Sequence, residues 1–236
     1  MRGDKSPDSA FPARSVFWPG CLLASIAIAV FAIRAPFLAH EHSWDGTNYS
    51  VQDTQGSRGT IAFGEDKSLF VAVMYSLGSD KRRSNANLSL ARASVQTLLS
   101  NVPDGLKGLR DEALQYVVQD VQGVQAPVLT SAFWSDLETP LVTACEPWLD
   151  VVEHGARMFQ KQFSAPSIAL ALWAGDFNFD EKEIALARAL FNRRVATTGA
   201  MGLRDDEVRL IHQKLSNAHG LQACQKSLSE VGIILP

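Results

Sequence analysis

Three carboxylates, Asp45, Asp53 and Glu65, are of the residue type that performs acid–base hydrolysis, which needs two such groups brought into one cleft. Sequence order does not decide whether they meet, because a catalytic site is recognised by geometry. His154 is a histidine that could join one of them in a deep pocket. His40, Glu41, His42 and Asp45 supply metal-ligating types within six positions, but ligand types this closely spaced recur by chance, and a polar tether is the expected role. Asp176, Asn178 and Asp180 begin like a calcium loop. The loop then fails, with Glu181 where the turn needs glycine and Ala187 where a bidentate carboxylate belongs, so Asp180 is expected to cap a helix instead.

The sequence has no G-x-S-x-G, H-E-x-x-H, G-x-x-x-x-G-K-[ST], G-x-G-x-x-G or C-x-x-C. The common serine-hydrolase, zinc-protease and nucleotide machineries are therefore poor readings, and no cofactor or metal is indicated.

Recognition is better represented than catalysis. Residues 43–63 concentrate Trp44, Asp45, Asn48, Tyr49 and Arg58 around turns, a mix of aromatic and hydrogen-bonding side chains suited to a binding surface. The competing reading puts Trp44 and Tyr49 in the core and gives Asp45 and Asp53 to turns. A second candidate surface is the acidic stripe of Glu146, Asp150 and Glu153, expected on the solvent side of a helix over residues 141–163.

Net charge points to the kind of partner. Leaving out Arg2, Lys5, Arg14 and Arg34 on one side and Asp4 and Asp8 on the other, 18 basic residues face 23 acidic ones, a charge of about −5. That balance argues against nucleic acid, whose binding rests on cations facing phosphates, and for a protein partner, which could be basic. Lys81, Arg82 and Arg83 form a dense basic run expected in a solvated loop. Cys145 and Cys224 either pair in an oxidising compartment or stay as buried thiols.

Residues 16–33 form an uncharged apolar run of 18 residues between Arg14 and Arg34, just long enough to span a bilayer. Pro19 and Gly20 shorten its unbroken part to signal-peptide length, yet Phe37-Leu38-Ala39 is a poor cleavage site. The leading expectation is an uncleaved signal anchor: residues 1–15 a cytoplasmic tail, 16–38 in the bilayer, and 39–236 one extracytoplasmic domain. Arg2, Lys5 and Arg14 before the segment set that orientation. A cleaved signal peptide and a hydrophobic element of a soluble core are the other two readings.

The elements that must position these residues follow from periodicity. Residues 48–52, 58–63 and 69–75 read as three antiparallel strands separated by turns. Helices are expected over 88–99, 106–121, 141–163, 164–173, 181–196, 205–220 and 221–231, with an extended connector over 123–135. EKEIALARALF from Glu181 echoes DDEVRLIHQKL from Asp205. The fold class is α+β: an N-terminal transmembrane helix, then a three-stranded antiparallel meander packed on a C-terminal bundle of about five to six helices. The expected function is a membrane-anchored, non-enzymatic protein-binding module facing the periplasm or exterior, either an immunity-type inhibitor or an envelope accessory factor. The alternative is an envelope hydrolase using Asp45, Asp53 and Glu65.

Overall fold

The computed structural model describes residues 11–79, 87–135, 138–215 and 217–235. The basic run Lys81, Arg82 and Arg83 lies outside the described residues, as do Arg2 and Lys5, on which the expected membrane orientation rests. In chain order the elements begin with α1 (Phe17–Ala32), β1 (His42–Asp45), β2 (Asn48–Gln52), β3 (Arg58–Phe63) and β4 (Phe70–Tyr75). There follow α2 (Leu88–Leu98), α3 (Lys107–Gln115), β5 (Val118–Val121), β6 (Val124–Pro127), β7 (Ser131–Ser135) and β8 (Val142–Thr143). The remainder is α4 (Trp148–Glu153), α5 (Pro166–Phe177), α6 (Glu181–Ala196), β9 (Met201–Gly202), α7 (Asp205–Lys214), α8 (Ala218–Glu230) and β10 (Ile233–Ile234). The protein is thus mixed α and β, with an apolar N-terminal helix and an antiparallel sheet. Its chain divides into two compact units, Met1–Ser15 with Thr47–Gln160, and Val16–Gly46 with Lys161–Pro236.

In the first unit the sheet runs β2-β3-β4-β7-β8, each neighbour antiparallel to the next. Every residue of β4 and β7 is buried, so both faces of the sheet are covered, and β4 reads as a continuous apolar run. Side-chain alternation sorts them. Ala62, Val71, Val73, Ala132 and Trp134 join Leu98, Leu106 and Ala113 in a cluster beneath α2 and α3. On the opposite face, Tyr49, Ile61, Ala72 and Phe133 lie in register, and the Phe133 ring meets Trp148 at 5.5 Å and Phe159 at 6.5 Å.

In the second unit α1 is the centre. It packs against α5, α6 and α8, and Cys21, Ala24, Ile26, Ala27 and Ala29 are fully buried around its whole circumference. The approach to α8 is close: a Cβ on Gly220 would stand 2.1 Å from the carbonyl oxygen of Ile33, so only glycine fits there. One stretch among the described residues, Arg14–Ala32, is long and apolar enough to cross a membrane by length and composition, and 72% of its most apolar window is buried inside the protein.

The two helix starts that echo each other in sequence are alike in structure. At α6, Asp180 and Glu183 close a capping box, each carboxylate accepting the other's backbone N–H at 2.9 Å. At α7, Glu207 accepts the N–H of Arg204 at 2.8 Å. Both glutamates are buried, Glu183 on Arg34 and Glu207 on Arg193.

The expected elements are redrawn in several places. The three-stranded meander is β2-β3-β4, but β7 and β8 extend its sheet. Helices α2 and α3 cover that sheet, whereas α5 to α8 gather with α1 instead of forming one C-terminal bundle of five or six. Residues 106–121 are not one helix, because α3 stops at Gln115 and the chain turns into the β5–β6 hairpin. Its loop residues Gln122 and Gly123 have φ of 57° and 82°, the left-handed pair that a two-residue hairpin requires. Residues 141–163 are likewise not one helix: β8, α4 and a 3-10 turn (Ala156–Phe159) replace it. The helix expected to end at Gly220 ends at Lys214, and Asn217 caps α8 by accepting the Gly220 N–H at 2.9 Å. Residues 40–45, expected as a tether, lie in the end of a 3-10 turn (Pro36–Glu41) and in β1. Cys145 and Cys224 are both free; burial in α8 pushes the Cys224 thiol up to about 12.

Candidate binding groove

At one end of the first unit's sheet, two stretches of chain enclose an open groove of about 830 Å³. The β2–β3 turn and the residues after β4 supply Asp53, Ser57, Ser76 and Gly78; α4 and the turn that follows supply Leu149, Val152, Glu153 and Arg157.

The first wall is held by hydrogen bonds. Asp53 Oδ1 accepts the backbone N–H groups of Gln55 at 2.9 Å and Ser57 at 2.8 Å, an Asx turn that closes the hairpin. Ser57 Oγ then accepts the N–H of Leu77 at 3.2 Å, tying that turn to the end of β4. The second wall is held by burial. Trp148 and Val151 insert into the aromatic core, so Leu149 and Glu153, on the other side of α4, face outward. Ser131 Oγ donates to the carbonyl of Val151 at 3.0 Å, and Thr130 Oγ1 donates to that of His154, fixing α4 to the start of β7.

Two carboxylates, Asp53 and Glu153, therefore line the groove from opposite stretches, with Arg157 as the single cation among its described lining residues. Apolar surface accompanies them, for Leu149 is 54% exposed and Leu77, between the lining residues Ser76 and Gly78, is 53% exposed. Such a groove can hold a polar and apolar ligand at once. It stays open to solvent and does not sequester a reacting bond from water.

The candidate residues fall into three groups. Glu153 lines the groove, Asp150 lies one helical turn before it on α4, and Glu146 precedes the helix in a bend, so the acidic stripe is shorter than a continuous helix would give. Asn48 and Tyr49 are fully buried: Asn48 accepts from Thr60 Oγ1 at 2.8 Å and donates to Glu112 at 3.2 Å, and the Tyr49 ring lies against Phe159. Arg58, half-buried at the start of β3, stands across from Gln52 and Tyr75. Trp44 and Asp45 belong to the second unit. There the Trp44 indole donates to Ser25 Oγ at 2.8 Å and meets Trp18 edge-on at 5.0 Å, while Asp45 is exposed.

The carboxylates proposed for hydrolysis do not assemble. Asp53 and Glu65 sit in turns at opposite ends of β3, about 20 Å apart by strand length. His154 is buried beside the groove, between the lining residues Glu153 and Gly155, with no hydrogen bond to either ring nitrogen, and does not itself line the groove.

Nor do the metal-ligating types gather. His42 is packed edge-on to Trp173 at 5.4 Å, and burial followed by the charge of Lys161 pushes its pKa down to about 3, so it is a neutral core residue. Asp176 pairs with Lys161 and Asp180 with Lys214; the Lys214 ammonium holds the Asp180 carboxyl below its usual range. No cluster of three or more His, Cys, Asp or Glu able to hold a metal occurs among the described residues.

Sequence reasoning missed Ser57, Ser76, Leu149 and Arg157. Only Leu149 carried a signal, as an apolar residue off the buried face of a helix. Comparison with protein-family models, with curated proteins and with solved structures finds no match for this chain.

Proposed function

We propose that this protein is a non-enzymatic module that binds another protein through the groove of its first unit, and that α1 serves as the internal helix of its second. The groove carries the reading. Exposed Leu149 and Leu77 beside Asp53 and Glu153 make an apolar surface with a charged rim, the composition of an interaction site. An immunity-type inhibitor and an envelope accessory factor are two forms such a module takes.

A helix apolar all round belongs either inside a protein or across a bilayer. The packing of α5, α6 and α8 on α1 supports the first. The membrane-anchored, extracytoplasmic form is favoured by one observation, the length and mean hydropathy of 2.0 of Arg14–Ala32. It requires α1 to leave the unit and uncover Leu170, Leu186, Leu190 and Leu228, which are buried with it.

Two measurements test these readings. Full-length chain in the detergent-free soluble fraction supports an internal α1, whereas a carbonate-resistant membrane pellet, or a mature chain beginning near His40, overturns it. Leu149→Asp with Glu153→Lys should abolish capture of a partner that wild type retains, while Asp205→Lys on α7 should leave it. Turnover of a substrate, lost on Asp53→Asn or Glu153→Gln, would replace the binding module by an enzyme.

A further inference from the structure

The second unit holds a smaller cavity, of about 180 Å³, where α1, α5 and α6 pack together. Its floor is apolar and buried: Leu23 of α1, Leu170 of α5 and Phe191 of α6. Its rim is polar and exposed, with Ser167 in the first turn of α5 and Arg188 and Asn192 of α6. Arg188 and Asn192 stand four residues apart and so share one face of the helix. We propose that this cavity binds a small monocarboxylate, its apolar body on the three floor side chains and its carboxylate on Arg188 at the rim.

Size, charge and hydrogen bonding each narrow the ligand. A dry apolar cavity of about 150 Å³ holds one benzene ring, so this one takes an apolar body of roughly six carbons with the head group projecting from it. Arg188 is the single charged group among the described lining residues. No acid stands one helical turn from it, where α6 carries Ile184, Ala185, Phe191 and Asn192, and the nearest acid on the helix, Glu183, is paired with Arg34. A guanidinium offers a donor fork that a carboxylate meets with two oxygens at once. Asn192 and Ser167 supply further donors for the remaining lone pairs. A dianion such as phosphate loses more hydration beside an apolar floor than one exposed arginine returns. Leu23 comes from α1, so the site rests on the reading of α1 as an internal helix.

The test uses the full-length chain from the detergent-free soluble fraction, titrated with hexanoate, hexanol and acetate by calorimetry. Hexanoate should bind with a dissociation constant on the order of 1 mM or below. Hexanol, of similar shape without the charge, should bind at least about fivefold more weakly, and acetate, without the apolar body, should not bind measurably. Arg188→Gln should weaken hexanoate by roughly fivefold or more and leave hexanol unchanged, with an unchanged Tm because Arg188 is exposed. Ser167→Trp, which fills the mouth from an exposed position, should abolish binding of both, whereas Arg209→Gln on α7 should alter neither. If hexanol binds as tightly as hexanoate, or if Arg209→Gln weakens hexanoate as much as Arg188→Gln does, the carboxylate has no specific partner and the proposal fails. Acetate binding as tight as that of hexanoate overturns the apolar floor as part of the site. A soluble chain that binds none of the three, or whose binding survives Ser167→Trp, overturns the site and leaves the internal α1 standing. A chain recovered only in the membrane pellet takes Leu23 out of the cavity and overturns both.

Discussion

Arg34 Nε lies 3.3 Å from Glu183 Oε1, joining the residue just beyond α1 to the first turn of α6. The same guanidinium donates to the carbonyls of Phe177 and Asn178 at the end of α5. A charge that flanks an apolar segment in the sequence is thus the point where three helices are tied. Arg34→Met leaves Glu183, 4% exposed, without its cation. The expected cost is about 2–3 kcal/mol, below that of a fully buried pair because the Arg34 side chain is 33% exposed. Glu183→Gln in the same chain should return part of it. Urea denaturation measures both, and an unchanged midpoint in Arg34→Met would remove Arg34 from the core of the second unit.

Gly220→Ala tests the seat of α1 from the other side. The new methyl meets the Ile33 carbonyl, so α8 must move away, at an expected cost of about 1–3 kcal/mol. With α1 gone from the unit into a bilayer, the same change on α8 would be silent or, by helix propensity, slightly stabilising. Thermal melts distinguish the two.

His42 makes stability depend on pH. Its folded pKa of about 3 lies below the unfolded value near 6.5, so between those limits the unfolded chain binds the extra proton. The contribution is complete above about pH 6.5 and is lost as pH falls toward 3, at up to about 1.4 kcal/mol per pH unit. His42→Phe should flatten that part of a stability-against-pH curve. A curve of unchanged slope would mean that His42 is protonated in the fold.

Trp148 is 5% exposed and packs between Phe133, edge-on at 5.5 Å, and Phe11, tilted at 5.7 Å. Trp148→Ala should cost about 3–5 kcal/mol. It should also weaken partner binding more than a comparably destabilising change in the cluster beneath α3, such as Leu106→Ala, because α4 carries Leu149 and Glu153. Equal binding by the two variants at matched stability would detach α4 from the site.

What was legible in the sequence was local. The strands β2, β3 and β4 announced themselves by alternation and turn residues, and the capping box of Asp180 and Glu183 placed the start of α6 to the residue. What was misread depended on signals that local pattern does not carry. Leu141, Cys145, Trp148 and Val152 keep helical spacing across Pro147, yet only the last two share a helix. Gln122 is an unusual residue for a left-handed turn, so the β5–β6 hairpin was hidden inside a helical period. The apolar run of α1 fits a bilayer and a protein interior equally by composition, and the helices that pack on it come more than a hundred residues later in the chain, beyond the reach of local pattern. The groove draws on the turn after β2, the end of β4 and α4, and no spacing rule links those positions.

The second unit is assembled from the two ends of its chain, α1 near the start and α5 to α8 at the finish. During synthesis this order becomes a delay. About 190 residues separate the end of α1 from α8, and at about 5–20 residues per second the ribosome needs on the order of 10–40 s to deliver them. For that interval the most apolar segment of the nascent chain is outside the exit tunnel without the surfaces that will cover it. The cellular factors that bind exposed hydrophobic segments, chaperones and membrane-targeting machinery alike, then compete for α1 against a fold that does not yet exist.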